Sequence, residues 1–75
     1  MKTTLTVSVR ACSPYVAHFA TKRDAIEAMR QEVAAMTSYY KKNGYKQKGT
    51  VRSGWVQFDH PAFGCDCWIK VEKTI

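Results

Sequence analysis

Five apolar residues recur at helical spacing in the middle of the chain, and they constrain its fold more than any other feature. Ile26, Met29, Val33, Met36 and Tyr40 follow one another at steps of 3, 4, 3 and 4 residues. This spacing lines one stripe of an α-helix, and such a stripe has to be buried against another element. A coiled-coil seam is the alternative, but it needs about three heptads or more. We therefore expect the helix to pack on a sheet.

The ends of this helix have their own signals, and together they predict a helix over residues 22–43. Thr21 is a typical N-cap residue. The pair Lys41-Lys42 falls in the last turn, where the helix dipole favours cations. Asn43 or Gly44 then supplies the left-handed residue that ends many helices.

Alternation of apolar and polar residues predicts strands on both sides of the helix. Residues 3–12 alternate, with Leu5, Val7, Val9 and Ala11 on one face. The other predicted strands span residues 15–20, whose facing is ambiguous, residues 46–52 at a sheet edge, and residues 55–59 and 65–73 in a hairpin. The prediction is one α+β domain over residues 1–75, with a helix on an antiparallel sheet of four or five strands in the order ββαβββ.

The hairpin prediction includes a register. With Asp59 and Gly64 closing the loop, Pro61 sets a type I turn. The expected cross-strand pairs are Phe58 with Cys65, Val56 with Cys67, and Trp55 with Trp68. Side chains alternate between faces. The side away from the helix is then expected to carry Trp55, Gln57, Asp66, Trp68 and Lys70.

Positive charge is concentrated just after the helix. The chain carries 12 basic and 6 acidic residues, and the stretch from Lys41 to Arg52 holds five cations and no acid. Clustered cations beside aromatic residues indicate a surface that meets an anionic partner, although lysines on an edge strand also prevent aggregation. The candidate partner-binding residues are Lys41, Lys42, Tyr45, Lys46, Lys48, Arg52, Trp55, Trp68 and Lys70.

These residues leave several partners open. An acidic protein surface, a nucleoprotein complex and nucleic acid itself would each complement the cations. Two tryptophans on one face indicate a contact surface, since tryptophan is enriched at interfaces and stacks on bases. A homodimer would cover that face equally well, and a purely structural aromatic pair is the alternative to an interface.

Residues that could carry chemistry are present but poorly arranged for it. Cys12, Cys65 and Cys67 with His18 or His60 could in principle bind zinc, but the predicted strand places Cys65 and Cys67 on the core side rather than on a turn. A nucleophilic Cys65 with His60 as its base is a second possibility. Neither pattern is specific, so we expect no metal, no cofactor and no enzymatic activity.

The apolar runs and the cysteines of the sequence indicate where in the cell the protein is located. No apolar run approaches the length that spans a bilayer, and the first residues lead into a strand rather than an apolar signal segment. Three cysteines, an odd number, are typical of a reducing compartment. These features predict a cytoplasmic protein without a membrane partner.

Two resemblances suggest functions. The segment from Asn43 to Gly49, with the segment from Trp55 to Pro61, resembles HicA-type mRNA interferase toxins, which have a glycine-aromatic pair after a helix and a strand ending in Phe-x-His-Pro. Membership would imply RNA binding or ribonuclease activity. Where those toxins have their catalytic histidine, this chain has Trp55 and Val56, so the activity is not carried over.

In size, charge and order of elements the whole chain is similar to small phage-encoded inhibitors, including several anti-CRISPR proteins. That resemblance implies a non-enzymatic antagonist of a host defence complex, located in the host cytoplasm if a phage encodes the chain. Such a protein acts by occupying a subunit surface or the path of a nucleic acid. Direct nucleic-acid binding and a divergent HicA-like toxin are the alternatives.

Overall fold

The structure, a computed structural model, describes residues 2–74. It confirms an α+β fold with the element order ββαβββ. The elements are β1 (Lys2–Val9), β2 (Tyr15–Phe19), α1 (Lys22–Lys42), β3 (Lys46–Thr50), β4 (Trp55–His60) and β5 (Gly64–Thr74).

The five strands form one antiparallel sheet in the order β2-β1-β5-β4-β3. The longest strand, β5, is the central one and lies between β1 and β4, while β2 and β3 form the two edges. The predicted edge position of the basic strand is confirmed. Its position at one edge places the lysines of β3 beside β4.

The apolar stripe of α1 packs on one side of this sheet, as predicted. Met29, Val33 and Tyr40 are buried, and Ile26 and Met36 pack against the same core. Burial of this stripe is the main stabilising contribution to a helix of this length, because propensity alone is marginal in water. On the sheet side the core consists of Leu5, Val7, Val56, Phe58, Cys67 and Ile69.

The helix ends where its sequence signals indicate. The Thr21 hydroxyl accepts a hydrogen bond from the Asp24 amide at 3.2 Å, which satisfies one of the free N–H groups of the first turn. Asn43 is the C-cap, and Gly44 follows with a φ of 84°. Among the described residues no helix combines the length and the apolar character needed to cross a membrane.

Three strands end earlier than predicted, and β2 does so by one residue, at Phe19 rather than at Ala20. β1 stops at Val9 rather than continuing to residue 12, because Ala11 has a φ of 65° and the Cys12 amide donates to the Val9 carbonyl in a turn. β3 stops at Thr50, where hydrogen bonds between Thr50 and Ser53 close the turn to β4. After β1 the alternation continues to Ala11, so it could not mark the end of this strand. β3 consists of Lys, Gln, Gly and Thr residues without an apolar side chain, so no alternation marked its end.

The ambiguous facing of β2 is resolved by its pairing with β1. Ala17 lies opposite the buried Leu5, so it faces the helix together with Phe19. Val16 and His18 lie on the other side of the sheet, where His18 Nδ1 is 3.1 Å from the Thr4 hydroxyl.

The predicted hairpin register is wrong by two residues. His60 and Gly64 close the loop, and a β-bulge at Asp66 follows. The observed pairs are Asp59 with Cys65, Phe58 with Cys67, Val56 with Ile69, Gln57 with Trp68, and Trp55 with Lys70. The loop contributes one residue of the shift and the bulge contributes the other.

A shift of two preserves the alternation beyond the bulge, so Trp55, Gln57, Trp68 and Lys70 do share the side away from the helix. The predicted sides of Cys65 and Asp66 are wrong. The bulge turns Asp66 toward α1, where its carboxylate accepts a hydrogen bond from Tyr40, and it places Cys65 beside Asp59. Turn length and bulges depend on contacts outside the hairpin, which explains the error.

Candidate functional site on the open face of the sheet

The side of the sheet away from α1 carries most of the candidate residues, and we call it the open face. Register pairs Lys46 with Asp59, Lys48 with Gln57, and Gln57 with Trp68, so alternate residues of three neighbouring strands share this side. Its residues on these strands include Lys46 and Lys48 of β3, Trp55, Gln57 and Asp59 of β4, and Cys65, Trp68, Lys70 and Glu72 of β5.

Two shallow depressions cross this face and meet at Gln57. The larger, about 460 Å³, is lined by Lys46, Lys48, Gln57, Asp59, His60, Pro61, Gly64 and Cys65. The smaller, about 240 Å³, is lined by Trp55, Gln57, Trp68 and Lys70. Because both depressions are lined by Gln57, we treat them as one open-face groove, with cations at both ends and tryptophans in one half.

Ion pairs moderate the charge of the groove. Lys48 Nζ lies 3.0 Å from Asp59 Oδ2, and Gln57 Nε2 donates to Asp59 Oδ1 at 2.8 Å. Lys70 Nζ lies 3.3 Å from Glu72 Oε1. Two contacts hold the pKa of the Asp59 carboxyl below its usual value. The hydrogen bond from Gln57 has the larger effect, and the contact with Lys48 has the next largest. The open face is therefore a mixed-charge surface rather than a uniformly cationic one.

The position of Trp55 depends on Gly49, which leaves room for the indole ring. Gly49 has a φ of 77°, and a Cβ at this position would lie 2.5 Å from ring carbon Cε3 of Trp55. It would also collide with the Trp55 carbonyl oxygen. Only glycine lets the indole approach β3 this closely. The residue is still 38% exposed, so part of the ring is available for contact.

Trp68 lies between β1 and β4 and is half-buried. Its register partners are Ser8 and Gln57, and both of these side chains are smaller than an indole. Trp55 and Trp68 are diagonal neighbours rather than the directly opposed pair that was predicted. Both still line the same half of the groove.

The bulge that places Cys65 on the open face is fixed from two directions. On the helix side, the Tyr40 hydroxyl donates to Asp66 Oδ2 at 2.7 Å. The pKa of Tyr40 is raised mainly by burial and secondly by this hydrogen bond. At the end of β1, Arg10 Nη2 donates to the Phe63 carbonyl at 2.7 Å and to the Cys65 carbonyl at 3.0 Å. The end of the groove next to the hairpin loop is thus held by α1 and β1.

The cysteines are free thiols in three different environments. Cys12 is exposed, Cys65 is half-buried on the open face and Cys67 is in the core. Burial raises the pKa of the Cys67 thiol to about 11 and also raises the pKa of Cys65. A raised thiol pKa is the opposite of what an activated nucleophile requires.

The remaining chemical candidates take part in structural contacts. His60 Nδ1 accepts hydrogen bonds from the amides of Ala62 and Phe63, at 2.9 and 3.3 Å, and so orders the hairpin loop. Within residues 2–74, no three His, Cys, Asp or Glu side chains come together as a metal-binding group.

The structure brings five of the nine predicted residues onto the open face: Lys46, Lys48, Trp55, Trp68 and Lys70. The other four lie elsewhere. Lys41 and Lys42 end α1 on the covered side, and Arg52 is in the turn between β3 and β4. Tyr45 is half-buried, with its ring centroid 5.0 Å from that of Tyr40.

Gln57, Asp59 and Cys65 are part of the groove but were not among the predicted site residues. Alternation from Trp55 along β4 was a sufficient signal for Gln57 and Asp59. No local signal distinguishes Cys65, because its side of the sheet depends on the bulge.

Comparisons of the chain with protein-family models, with curated proteins and with solved structures found no match.

Proposed function

We propose that this chain is a non-enzymatic binding protein whose open face binds an acidic protein surface. The observation that carries the proposal is the open-face groove, which unites cations from the basic segment with both tryptophans. Tryptophan surrounded by charged side chains is the composition of an interface hot spot with a polar rim.

The charge pattern favours a protein over a nucleic acid. Asp59 and Glu72 lie among the lysines of the groove and pair with Lys48 and Lys70. A phosphate backbone would be repelled by these carboxylates, whereas a protein partner can present both signs of charge. Lys46, which forms no ion pair among the described residues, is then the cation best placed to pair with a carboxylate of the partner.

The resemblance of the chain in size, charge and order of elements to small phage-encoded inhibitors supports the role of an antagonist. A small domain of 75 residues with one proposed contact face is suited to covering a surface that a larger complex needs. We propose a phage-type antagonist of a host defence complex, of the anti-CRISPR kind, acting in the cytoplasm of the host. Its target is expected to present carboxylates around an apolar pocket that accepts an indole.

The test is capture of partners from a bacterial lysate by immobilised protein, with and without nuclease, followed by affinity measurement with the purified partner. Lys46→Glu and Trp68→Ala change the two halves of the open-face groove. Lys42→Glu is the matched control, because it makes the same change of charge at the exposed end of α1.

The proposal predicts a protein complex that survives nuclease, is weakened at least tenfold by Lys46→Glu and by Trp68→Ala, and is retained by Lys42→Glu. Equal weakening by Lys42→Glu would mean that only net charge matters and would contradict the proposed site. Recovery of nucleic acid alone, with a steep salt dependence, would identify a direct nucleic-acid-binding protein. Degradation of RNA that His60→Ala abolishes would instead support a divergent toxin.

A further inference from the structure

The two edges of the sheet are protected to very different degrees. The β3 edge carries Lys46 and Lys48 and is exposed along its length. The β2 edge, Tyr15–Phe19, contains no Lys, Arg, Asp or Glu. Tyr15 is 56% and Val16 is 49% exposed on this edge.

This difference matters because an edge strand presents unpaired backbone N–H and C=O groups. Proteins that remain monomeric commonly place lysine, proline or a bulge on such an edge to prevent pairing with another strand. β3 has lysines of this kind, whereas β2 has none. The pairing of β2 with β1 is regular over five residues, without a bulge. β2 is therefore an edge to which another strand can be added.

We propose that β2 pairs in antiparallel orientation with β2 of a second copy, about a twofold axis that passes through Ala17. The five-residue strand is self-complementary about this centre. Tyr15 faces Phe19 of the second copy, and Val16 faces His18 of the second copy. Aromatic pairs of this kind stabilise a sheet, and no two like charges are opposed.

The sides of the sheet agree with this pairing. Tyr15, Ala17 and Phe19 lie on the side of α1, while Val16 and His18 lie on the open face. A twofold axis perpendicular to the sheet keeps both helices on one side and both open faces on the other. The dimer would be one continuous sheet of twice five strands, presenting two open-face grooves in the same direction.

The association is expected to be weak and to respond to salt in a characteristic way. A single pair of short strands buries less area than a standard stable interface. Each copy also carries a net charge of +6, so the copies repel one another. Added salt screens this repulsion and strengthens the dimer, whereas it weakens binding to an acidic partner. This inference does not depend on the proposed function.

The test is sedimentation velocity of the full chain from about 10 µM to 1 mM, at low and at moderate salt. We expect a dimer that grows with concentration and with salt. Val16→Lys adds a lysine to the exposed β2 edge and should raise the dissociation constant about tenfold or more, which corresponds to about 1.4 kcal/mol. Gln47→Lys is the matched control, because it adds the same charge to the opposite, exposed edge.

A second readout reports the register. In an equal mixture of isotope-labelled and unlabelled protein, intermolecular NOEs should connect the Tyr15 ring with the Phe19 ring of the second copy. A protein that stays monomeric up to 1 mM at moderate salt would overturn the proposal. So would a dimer that Val16→Lys leaves intact, or one whose intermolecular NOEs involve Trp55 and Trp68.

Discussion

Gly49 is the residue whose missing side chain lets the Trp55 ring pack closely against β3. Its substitution by alanine would place a Cβ against the carbonyl oxygen and the ring of Trp55, at a φ of 77°. We expect Gly49→Ala to lower the free energy of unfolding by about 2–5 kcal/mol, from backbone strain together with overpacking. The indole should move as well, which changes the tryptophan fluorescence of the folded protein.

The control for Gly49→Ala is Gly64→Ala. Gly64 also has a φ of 77°, but the nearest atom to an added Cβ is Arg10 Nη2 at 3.9 Å. This variant therefore incurs the backbone strain alone, about 1–3 kcal/mol, and should leave the fluorescence unchanged. Equal losses of stability in urea denaturation would mean that contact with Trp55 contributes nothing.

Tyr40 joins the core to the bulge through a single hydroxyl group. Tyr40→Phe keeps the ring, which stacks on Phe58 at a centroid distance of 4.6 Å, and removes the hydrogen bond to Asp66. A hydrogen bond to a charged group contributes about 1.5–3 kcal/mol, so we expect a loss of that size in urea denaturation at neutral pH. Tyr39→Phe, at the exposed neighbouring position, should change the stability by less than about 0.5 kcal/mol.

If both variants were equally stable, the Tyr40 hydroxyl would not hold the bulge. NMR would separate the role of the Tyr40 ring in the core from the role of its hydroxyl at the bulge. Loss of the hydroxyl should shift the NMR resonances of Cys65 and Asp66 while leaving those of the core side chains in place.

At the scale of elements, the contact between β3 and β4 makes stability depend on pH. The folded-state pKa of Asp59 lies below its ordinary value, so the carboxylate contributes stability above the unfolded pKa of about 3.9. That contribution is lost as the pH falls through the folded pKa. We therefore expect wild type to be more stable than Asp59→Asn at pH 7, and the gap to close as the pH falls below the folded-state pKa of Asp59.

Urea denaturation at several pH values measures this gap directly. Lys48→Met serves as a second variant, because it removes the ion pair at 3.0 Å and keeps the hydrogen bond from Gln57. Its gap to wild type should be smaller than that of Asp59→Asn and should close over the same pH range. A gap that stays constant down to pH 2 would show that Asp59 acts through shape rather than charge.

At the scale of the whole molecule, the sheet has one face that carries stability and one that is available for contact. Phe58 and Trp55 lie on the same strand and on opposite faces. Phe58 is 1% exposed, and Phe58→Ala should cost about 3–5 kcal/mol, a large share of the total for a domain this small. Trp55→Ala should cost about 1 kcal/mol, the ordinary cost of a substitution.

Thermal and urea denaturation of these two variants provide the comparison. The result also decides how binding data are interpreted, because loss of binding in Trp55→Ala reports on contact only if the domain remains folded. If both variants unfolded to the same extent, the open face would be a second core rather than an interface.

Periodicity along the chain was enough to determine the fold class and the two faces. The stripe from Ile26 to Tyr40 predicted a helix packed on a sheet, and the capping role of Thr21 followed from its position. Alternation placed Trp55 and Trp68 on one side even though the register was wrong, because an error of two residues preserves alternation. These features are local, since they depend on side chains a few residues apart.

Only the tertiary structure decided which candidate residues meet. It brought Lys46 and Lys48 together with the tryptophans and placed Tyr45 and the lysines at the end of α1 elsewhere. It also placed Cys65 on the open face, through a bulge that Arg10 and Tyr40 hold from outside the hairpin. Strand order and bulges depend on contacts between residues far apart in the chain, and no local pattern of residues encodes those contacts.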